Sequence, residues 1–348
     1  MTPEKPKLAR IAETLGVSIA SVSNALSGKG RVSPELAQRI RTLADELGYV
    51  PSVAGRALRT GRSGVLGLVL PDIANPLFPQ IAQAIERAAS TKGYGVLIGD
   101  SRGETEAQAD AIARLTERGV DGLVVIPRRG TSVTGVNCPV AVIDSPSTPG
   151  NTVAADHLDG GRQMGAHLAA LGHRQVVILA GSPLSNVQAD RVAGLKQGLG
   201  AQAVVDVVWL DGLDTRSESG TSLGLGAWVA EGTTAFAALS DLIALRALTE
   251  LQGAGITVPD QVTVTGFDDL IWSSVVTPPL TTMRMDIVQI AAIAIGSLTQ
   301  AIAATSRTVT SAFGTIVSEQ PNVPMTLVVR QSCGPVPTRR QASSTGGR

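Results

Sequence analysis

Two cysteines, three histidines and few charges leave this 348-residue chain little material for several kinds of chemistry. Cys138 and Cys333 lie far apart with no CxxC, so neither a disulfide framework nor a metal-ligand set is indicated. His157, His167 and His173 lie on or near one predicted helix, without a paired carboxylate or cysteine at ligand spacing, and read as surface or packing residues. No run reaches the ~18 consecutive apolar residues of a membrane-spanning helix. The first thirty residues carry Glu4, Glu13 and a helical pattern where a signal peptide would have an apolar run. A soluble, cytoplasmic protein is therefore expected. The charged fraction, 17%, lies below the ~25% of an average soluble protein, which excludes a highly charged disordered chain. No GxGxxG opens the first strand-helix unit, and no GxxxxGK[ST], HExxH or GxSxG occurs, so neither an enzyme nor a cofactor is expected.

What is present is a charge asymmetry hidden under a net charge of zero. Residues 1–62 hold ten Lys and Arg against five Asp and Glu, a net +5, so the remaining 286 residues carry −5. A small basic segment ahead of a large acidic one suggests a polyanionic partner for the first sixty residues. The length suggests two to three domains.

Leu8, Ile11, Ala12 and Leu15 recur at helical spacing, and Gly16 ends that helix. Ser18 can cap a second helix through about Leu26, with Val22, Ala25 and Leu26 inward and Ile19, Ala20, Ser21 and Asn24 outward. Ser33-Pro34-Glu35 starts a third, with Leu36, Ile40, Leu43, Ala44 and Leu47 inward and Gly48 just past its end. Two short helices joined by a Gly-containing turn and braced by a third form a helix-turn-helix. The motifs Leu8-Ala9-Arg10-Ile11-Ala12, Gly16-Val17-Ser18, Ser21-Val22-Ser23-Asn24-Ala25-Leu26, Arg31-Val32-Ser33-Pro34-Glu35 and Gly48-Tyr49-Val50-Pro51-Ser52 resemble the DNA-binding headpiece of the lac/gal repressor family.

The resemblance implies that the second helix enters the major groove, where Ile19, Ala20, Ser21 and Asn24 reach base edges. Many relatives carry Arg where this chain has Asn24. Asn pairs with adenine N6 and N7 where Arg prefers guanine O6 and N7, which leaves the operator sequence open. Lys29 and Arg31, with Lys5, Lys7 and Arg39, fit phosphate contacts or a solvated surface. Pro51 separates the third helix from a segment, Val53 to about Arg59, that Ser52 can cap. That segment is too short to persist alone. The resemblance implies that it folds when two copies meet over the minor groove, with Ser52, Leu58 and Arg59 at the DNA and Leu58 as the wedge that kinks it. A flexible linker with Leu58 packed on the core is the alternative.

From Val65 the pattern turns to Val/Ile/Leu runs alternating with helices: Val65-Leu70, Gly95-Ile98, Gly122-Ile126, Val140-Ile143, Val176-Leu179, Val207-Leu210, Phe236-Leu239 and Val262-Thr265. Such runs indicate parallel sheets buried on both faces, and their number suits two Rossmann-like lobes. Asp72, Asp100, Asp144, Asp241 and Asp268 each follow a run, at the carboxyl ends where open α/β sheets bind ligands, although such acids also cap helices. A second set of motifs carries the same resemblance, which spans about residues 6–333. They are Pro71-Asp72-Ile73-Ala74-Asn75-Pro76-Leu77-Phe78, Val120-Asp121-Gly122-Leu123, Ala170-Leu171-Gly172-His173-Arg174, Arg191-Val192-Ala193-Gly194-Leu195, Gly266-Phe267-Asp268-Asp269 and Thr277-Pro278-Pro279-Leu280-Thr281-Thr282.

It implies an α/β fold class overall: an all-α helix-turn-helix headpiece plus a periplasmic-binding-protein-like core of two lobes with a small effector between them. Arg191 and Asp268 match the family's effector-contacting pair; an interlobe salt bridge is the other reading. Phe78, Asp144 and Ser240 are further candidates, Phe78 being also a core candidate and Ser240 a helix cap. Trp272 can stack on a sugar face or pack under Pro278-Pro279. The expected organisation is a headpiece over 1–50, a hinge over 51–62, a core over 63–333 and a disordered tail over 334–348, with 310–324 a surface loop. The tail has no leucine heptad, so a dimer is expected. The expected function is a dimeric, sequence-specific repressor on pseudo-palindromic operator DNA, controlled by a small effector such as a sugar. The alternative is a cytoplasmic sugar-binding protein with a non-functional headpiece.

Overall fold

The computed structural model describes residues 8–27, 32–49, 61–128, 133, 136–148, 150–210, 222–305 and 322–336. The chain divides into two compact units, Met1–Ser63 and Gly64–Arg348.

In the first unit, helices α1 (Leu8–Leu15), α2 (Ile19–Ser27) and α3 (Pro34–Glu46) enclose a core of Ile11, Ala12, Val22, Ala25, Ala37, Ile40 and Ala44. Local chemistry sets the boundaries. The Ser21 amide donates to Ser18 Oγ at 3.0 Å, and the Leu36 amide donates to Ser33 Oγ with Pro34 opening the helix. Gly48 takes φ +62°, and the Tyr49 amide closes α3 on Ala44 O. Lys29, Arg31, Ser52, Leu58 and Arg59 lie outside the described residues, as does the whole Val53–Arg59 segment.

Among the described residues the second unit contains two sheets of six strands each. In chain order it runs β1 (Val65–Leu70), α4 (Leu77–Thr91), β2 (Gly95–Asp100), α5 (Thr105–Glu117), β3 (Gly122–Val125), β4 (Val140–Asp144), β5 (Val153–Ala155) and α6 (His157–Ala170). It continues with β6 (Gln175–Ala180), α7 (Asn186–Leu199), β7 (Val204–Trp209), α8 (Leu225–Ala230), β8 (Ala235–Ala238) and α9 (Asp241–Gly253). Last come β9 (Thr263–Phe267), a 3-10 turn (Ile271–Ser274), β10 (Thr281–Met285), α10 (Ile287–Thr305), β11 (Asn322–Val323) and β12 (Met325–Val328). The first sheet is ordered β11-β5-β4-β3-β1-β2 and its described pairings are all parallel; the second is ordered β12-β10-β9-β8-β6-β7, with only β12 antiparallel to its neighbour. Each is a doubly wound lobe with a switch in strand order, between β1 and β3 in one and β6 and β8 in the other.

The chain passes between the lobes three times, from β5 to α6, from β10 to α10 and from β11 to β12. The Asp156 amide donates to Val323 O at 2.8 Å, tying the first passage to the third.

Several expectations change here. β5 and β11 carry too few residues to stand out, and pairing in the sheet forms them. Asn322–Val323, expected within a surface loop, is an edge strand, while 306–321 lies outside the described residues. The tail is not loose from its first residue: the Val336 amide donates to Leu171 O, and Gly334 O accepts from Thr263 Oγ1. α10 has no unbroken apolar run of ~18 residues, yet it is long and apolar enough to cross a membrane. Gln289, Ser297, Thr299 and Gln300 interrupt its apolar run without charging it. It packs on α4 and the inner strands of the first sheet, burying Ile290, Ala291, Ala294, Ile295, Leu298 and Ile302.

Candidate functional site

The carboxyl ends of both sheets line one cavity of about 430 Å³. The first lobe supplies Pro71 and Asp72 after β1, Ile126 to Arg128 after β3, and Asp144 at the end of β4. The second supplies Gly181 and Ser182 after β6, Ser240 after β8, and Asp268 after β9. Aliphatic side chains from α4 and α10, among them Leu77, Ile81 and Ile290, complete the wall with Phe78.

In its wall Arg191, 3% exposed on α7, is fixed by three hydrogen bonds and a ring contact. Nη1 donates to Leu239 O at 2.6 Å, Nη2 to Asp268 Oδ1 at 3.1 Å and Nε to His157 Nδ1 at 3.4 Å. The guanidinium lies over the Phe267 ring, 4.5 Å from its centroid. Burial pushes the Asp268 carboxyl up to about 7, against the pull of Arg191. Burial first, and the Arg191 charge second, hold His157 neutral well below the ordinary histidine value. Its Nδ1 then accepts from Arg191 and the proton sits on Nε2. Asp268 takes φ +107° and Asp269 φ +51°, conformations a non-glycine residue keeps only where its surroundings enforce them. The Asp268 amide donates to Met283 O, and Asp269 pairs with Arg284 and Arg330.

At the mouth, the loop after β4 meets the start of α7. Asp144 accepts from Thr148 Oγ1, which accepts from Asn186 Nδ2 at 2.8 Å. Ser145 and Ser147 both donate to Asp190 Oδ2. Burial pushes Asp144 up to about 6, and Asp190 adds to the shift. Asp241 is also pushed to about 6 by burial, but it holds structure: Thr282, Ser273 and the Leu270 amide donate to it.

In the first unit, α2 turns Ile19 (53% exposed), Ala20 and Asn24 outward, while Ser21 is half-buried with its hydroxyl 2.9 Å from that of Ser18.

Against known proteins, residues 7–52 match the model described as bacterial regulatory proteins, lacI family, and residues 166–333 a periplasmic binding protein-like domain. An uncharacterized HTH-type transcriptional regulator in the aml 5' region of Streptomyces limosus is 30% identical over 322 residues, covering 87% of this chain and 90% of its own. The HTH-type transcriptional regulator DegA of Bacillus subtilis is 28% identical, covering 81% and 87%. The crystal structure of the lac repressor dimer bound to operator and the anti-inducer ONPF superposes with a TM-score of 0.80 at 27% identity, covering 95% of this chain and 100% of that one.

The chain belongs to the lacI family. It is a DNA-binding transcriptional regulator with a two-lobed binding core.

Of the residues expected at a lacI-family effector site, the fold brings Phe78, Asp144, Arg191, Ser240 and Asp268 to one cavity. Ser240 is also a cap, accepting the Ile243 amide, and Phe78 also packs on the core, so each lines the cavity while serving the structure. The ion pair of Arg191 with Asp268 lies within the second lobe, not between lobes. Trp272 is a correction: the 3-10 turn after Asp268 carries it away from the cavity lining, and at 41% exposed it is not enclosed under Pro278-Pro279. His157, read from sequence as surface or packing, lines the cavity beside Arg191. Its partner lies 34 residues away, so local spacing held no signal. Asp100 turns to loop amides of Ile73 and Arg102.

Proposed function

We propose that this lacI-family regulator is a cytoplasmic repressor that binds a pseudo-palindromic operator as a homodimer, with operator affinity set by a small, sugar-like effector in the cleft. The observation that carries the reading is the cavity between the carboxyl ends of two lobes joined by three chain passages. An effector there shifts the equilibrium between lobe geometries according to its differential affinity for them. The reading is supported by similar structures, a lac repressor dimer bound to operator and, at the level of the fold, a CelR–cellobiose complex.

On the DNA side, Ile19, Ala20, Ser21 and Asn24 read base edges, Lys29 and Arg31 hold phosphates, and Ser52, Leu58 and Arg59 act at the minor groove. In the cleft, Phe78, Asp144, Arg191, Ser240 and Asp268 hold the effector, with His157 fixing Arg191. The protein acts by binding, and no residue in the cleft is given a catalytic role. The 3-10 turn and the residue after it expose Ile271 (72%), Trp272 and Val275 (70%), an apolar surface that fits the subunit contact.

The test is titration of the full chain onto a selected operator in the presence of a panel of sugars and nucleosides. One member changes operator affinity at least about fivefold, the low end of typical coupling. If ligands bind and operator affinity never moves, the regulatory reading fails.

A further inference from the structure

The two lobes also meet away from the chain passages, where the loop between β4 and β5 faces α7. Ser145 and Ser147 of the first lobe both donate to Asp190 Oδ2 of the second, Ser147 at 3.0 Å. Asn186 Nδ2 donates back across the same gap to Thr148 Oγ1 at 2.8 Å, and Thr148 donates in turn to Asp144. The loop is braced for this from within: the Thr148 amide donates to Ser145 O, and the Asp144 amide to Asn151 Oδ1. Pro146 fixes φ between the two serines, which lowers the entropy lost in aiming both hydroxyls at one oxygen. Ser145 is fully buried, and Thr148, Asn186 and Asp190 are half-buried, so water competes for these bonds less than at an open surface. Asp144 and Asn186 line the cavity, whereas Ser145, Ser147, Thr148 and Asp190 are outside its lining.

We propose that Asp190 is a positioning residue that latches the two lobes together, and that it sets how fast the cleft opens to a ligand and not how tightly the ligand is held. Every partner in the contact belongs to the protein, so the latch forms whether or not a ligand is bound. A hydrogen bond to a charged acceptor contributes more net stability than a neutral one, and two on the same oxygen favour the joined lobes by about tenfold or more.

A contact made in both the free and the ligand-bound core cancels from the affinity and remains in the rates. The latch slows association by lowering the fraction of open lobes, and it slows dissociation because the lobes must part again before the ligand leaves. Its loss therefore raises both rates about five- to tenfold and changes the dissociation constant by less than about threefold. A residue that only held the fold together would act otherwise: its loss would speed dissociation alone and weaken affinity. The consequence for ligand rates rests on the reading of this cavity as the effector site, while the latch itself is a property of the lobes.

Hydrogen exchange of the full chain without added ligand tests the latch directly. In Asp190→Leu, which removes the acceptor at similar volume, amides of residues 144–156 and 181–190 exchange about tenfold faster, while those of the inner strands β1 and β6 keep the wild-type rate. Asp190→Asn keeps one acceptor and falls between. Ser145→Ala with Ser147→Ala cuts the same bonds from the first lobe, so it matches Asp190→Leu and adds nothing when combined with it. Unchanged exchange at these segments, equal acceleration throughout the core, or additive effects of the two sets overturns the proposal. Stopped-flow binding reads the rates with D-ribose, D-glucose, cytidine and cellobiose as probes: any probe that the wild-type chain binds enters and leaves Asp190→Leu about five- to tenfold faster at nearly constant affinity. A probe whose affinity falls about tenfold with its association rate unchanged also overturns the proposal. Exchange and rates that behave as expected, beside an operator affinity that no bound probe moves, overturn the regulatory reading instead.

Discussion

Arg191 neutralises a carboxyl that the fold has already desolvated, and this makes its removal pH-dependent. Burial raises the folded-state pKa of Asp268 above the ordinary carboxyl value. The stability linked to that group is therefore fully present at low pH and lost as pH rises through about 7. Without the guanidinium the carboxyl rises further, so the loss above neutrality grows. Arg191→Met is expected to cost about 1–1.5 kcal/mol more at pH 8 than at pH 5.5, since pH 8 lies about one unit above the folded-state value and one unit is worth about 1.4 kcal/mol. Urea unfolding at the two pH values measures it, and an equal loss at both contradicts the assignment. A second residue-scale expectation concerns Asn24, which α2 presents to solvent. Asn24→Ala relaxes base preference at one position per half-site, costing about 1–3 kcal/mol there in competition binding. An unchanged preference removes it from the reading set.

The crossing of α6 and α7 is built on four glycines, Gly161 and Gly165 against Gly194 and Gly198. A Cβ added at any of them would press into the backbone of the opposite helix, at Gly194 into Leu158 O. This crossing places His157 and Arg191 side by side. Gly194→Ala must part the helices, and we expect a loss of about 1–3 kcal/mol in thermal or urea unfolding, with weaker ligand binding as Arg191 shifts. Normal ligand affinity in this variant shows that the crossing does not position Arg191.

Element scale is also where sequence and structure diverge instructively. Central strands such as Val65–Leu70 and Gln175–Ala180 were legible because burial on both faces demands continuous Val, Ile and Leu. Val153–Ala155 and Asn322–Val323 were not, since their identity comes from a partner strand far along the chain. The strand β7 starts at Val204, three residues before the apolar run from Val207, because the alternating Val204-Val205-Asp206 also pairs with β6. The site was legible where a motif marks it, as at Arg191 and Asp268, and illegible at His157, whose role exists only once α6 and α7 meet.

For the whole molecule, two-fold symmetry of protein and operator must match, so dimerisation and specific binding stand or fall together. Val275→Asp, just past the exposed 3-10 turn, is expected to weaken the dimer, read by sedimentation at micromolar concentration, and operator affinity with it. A variant that remains dimeric places the subunit contact elsewhere.

The central claim, a dimeric regulator that reads a symmetric operator, meets its most direct test in selection of bound fragments from a random duplex pool by the full-length protein. The account predicts enrichment of two inverted half-sites, with affinity that falls steeply as salt rises because phosphates are being neutralised. Enrichment of no palindrome, or binding indifferent to ionic strength, contradicts it.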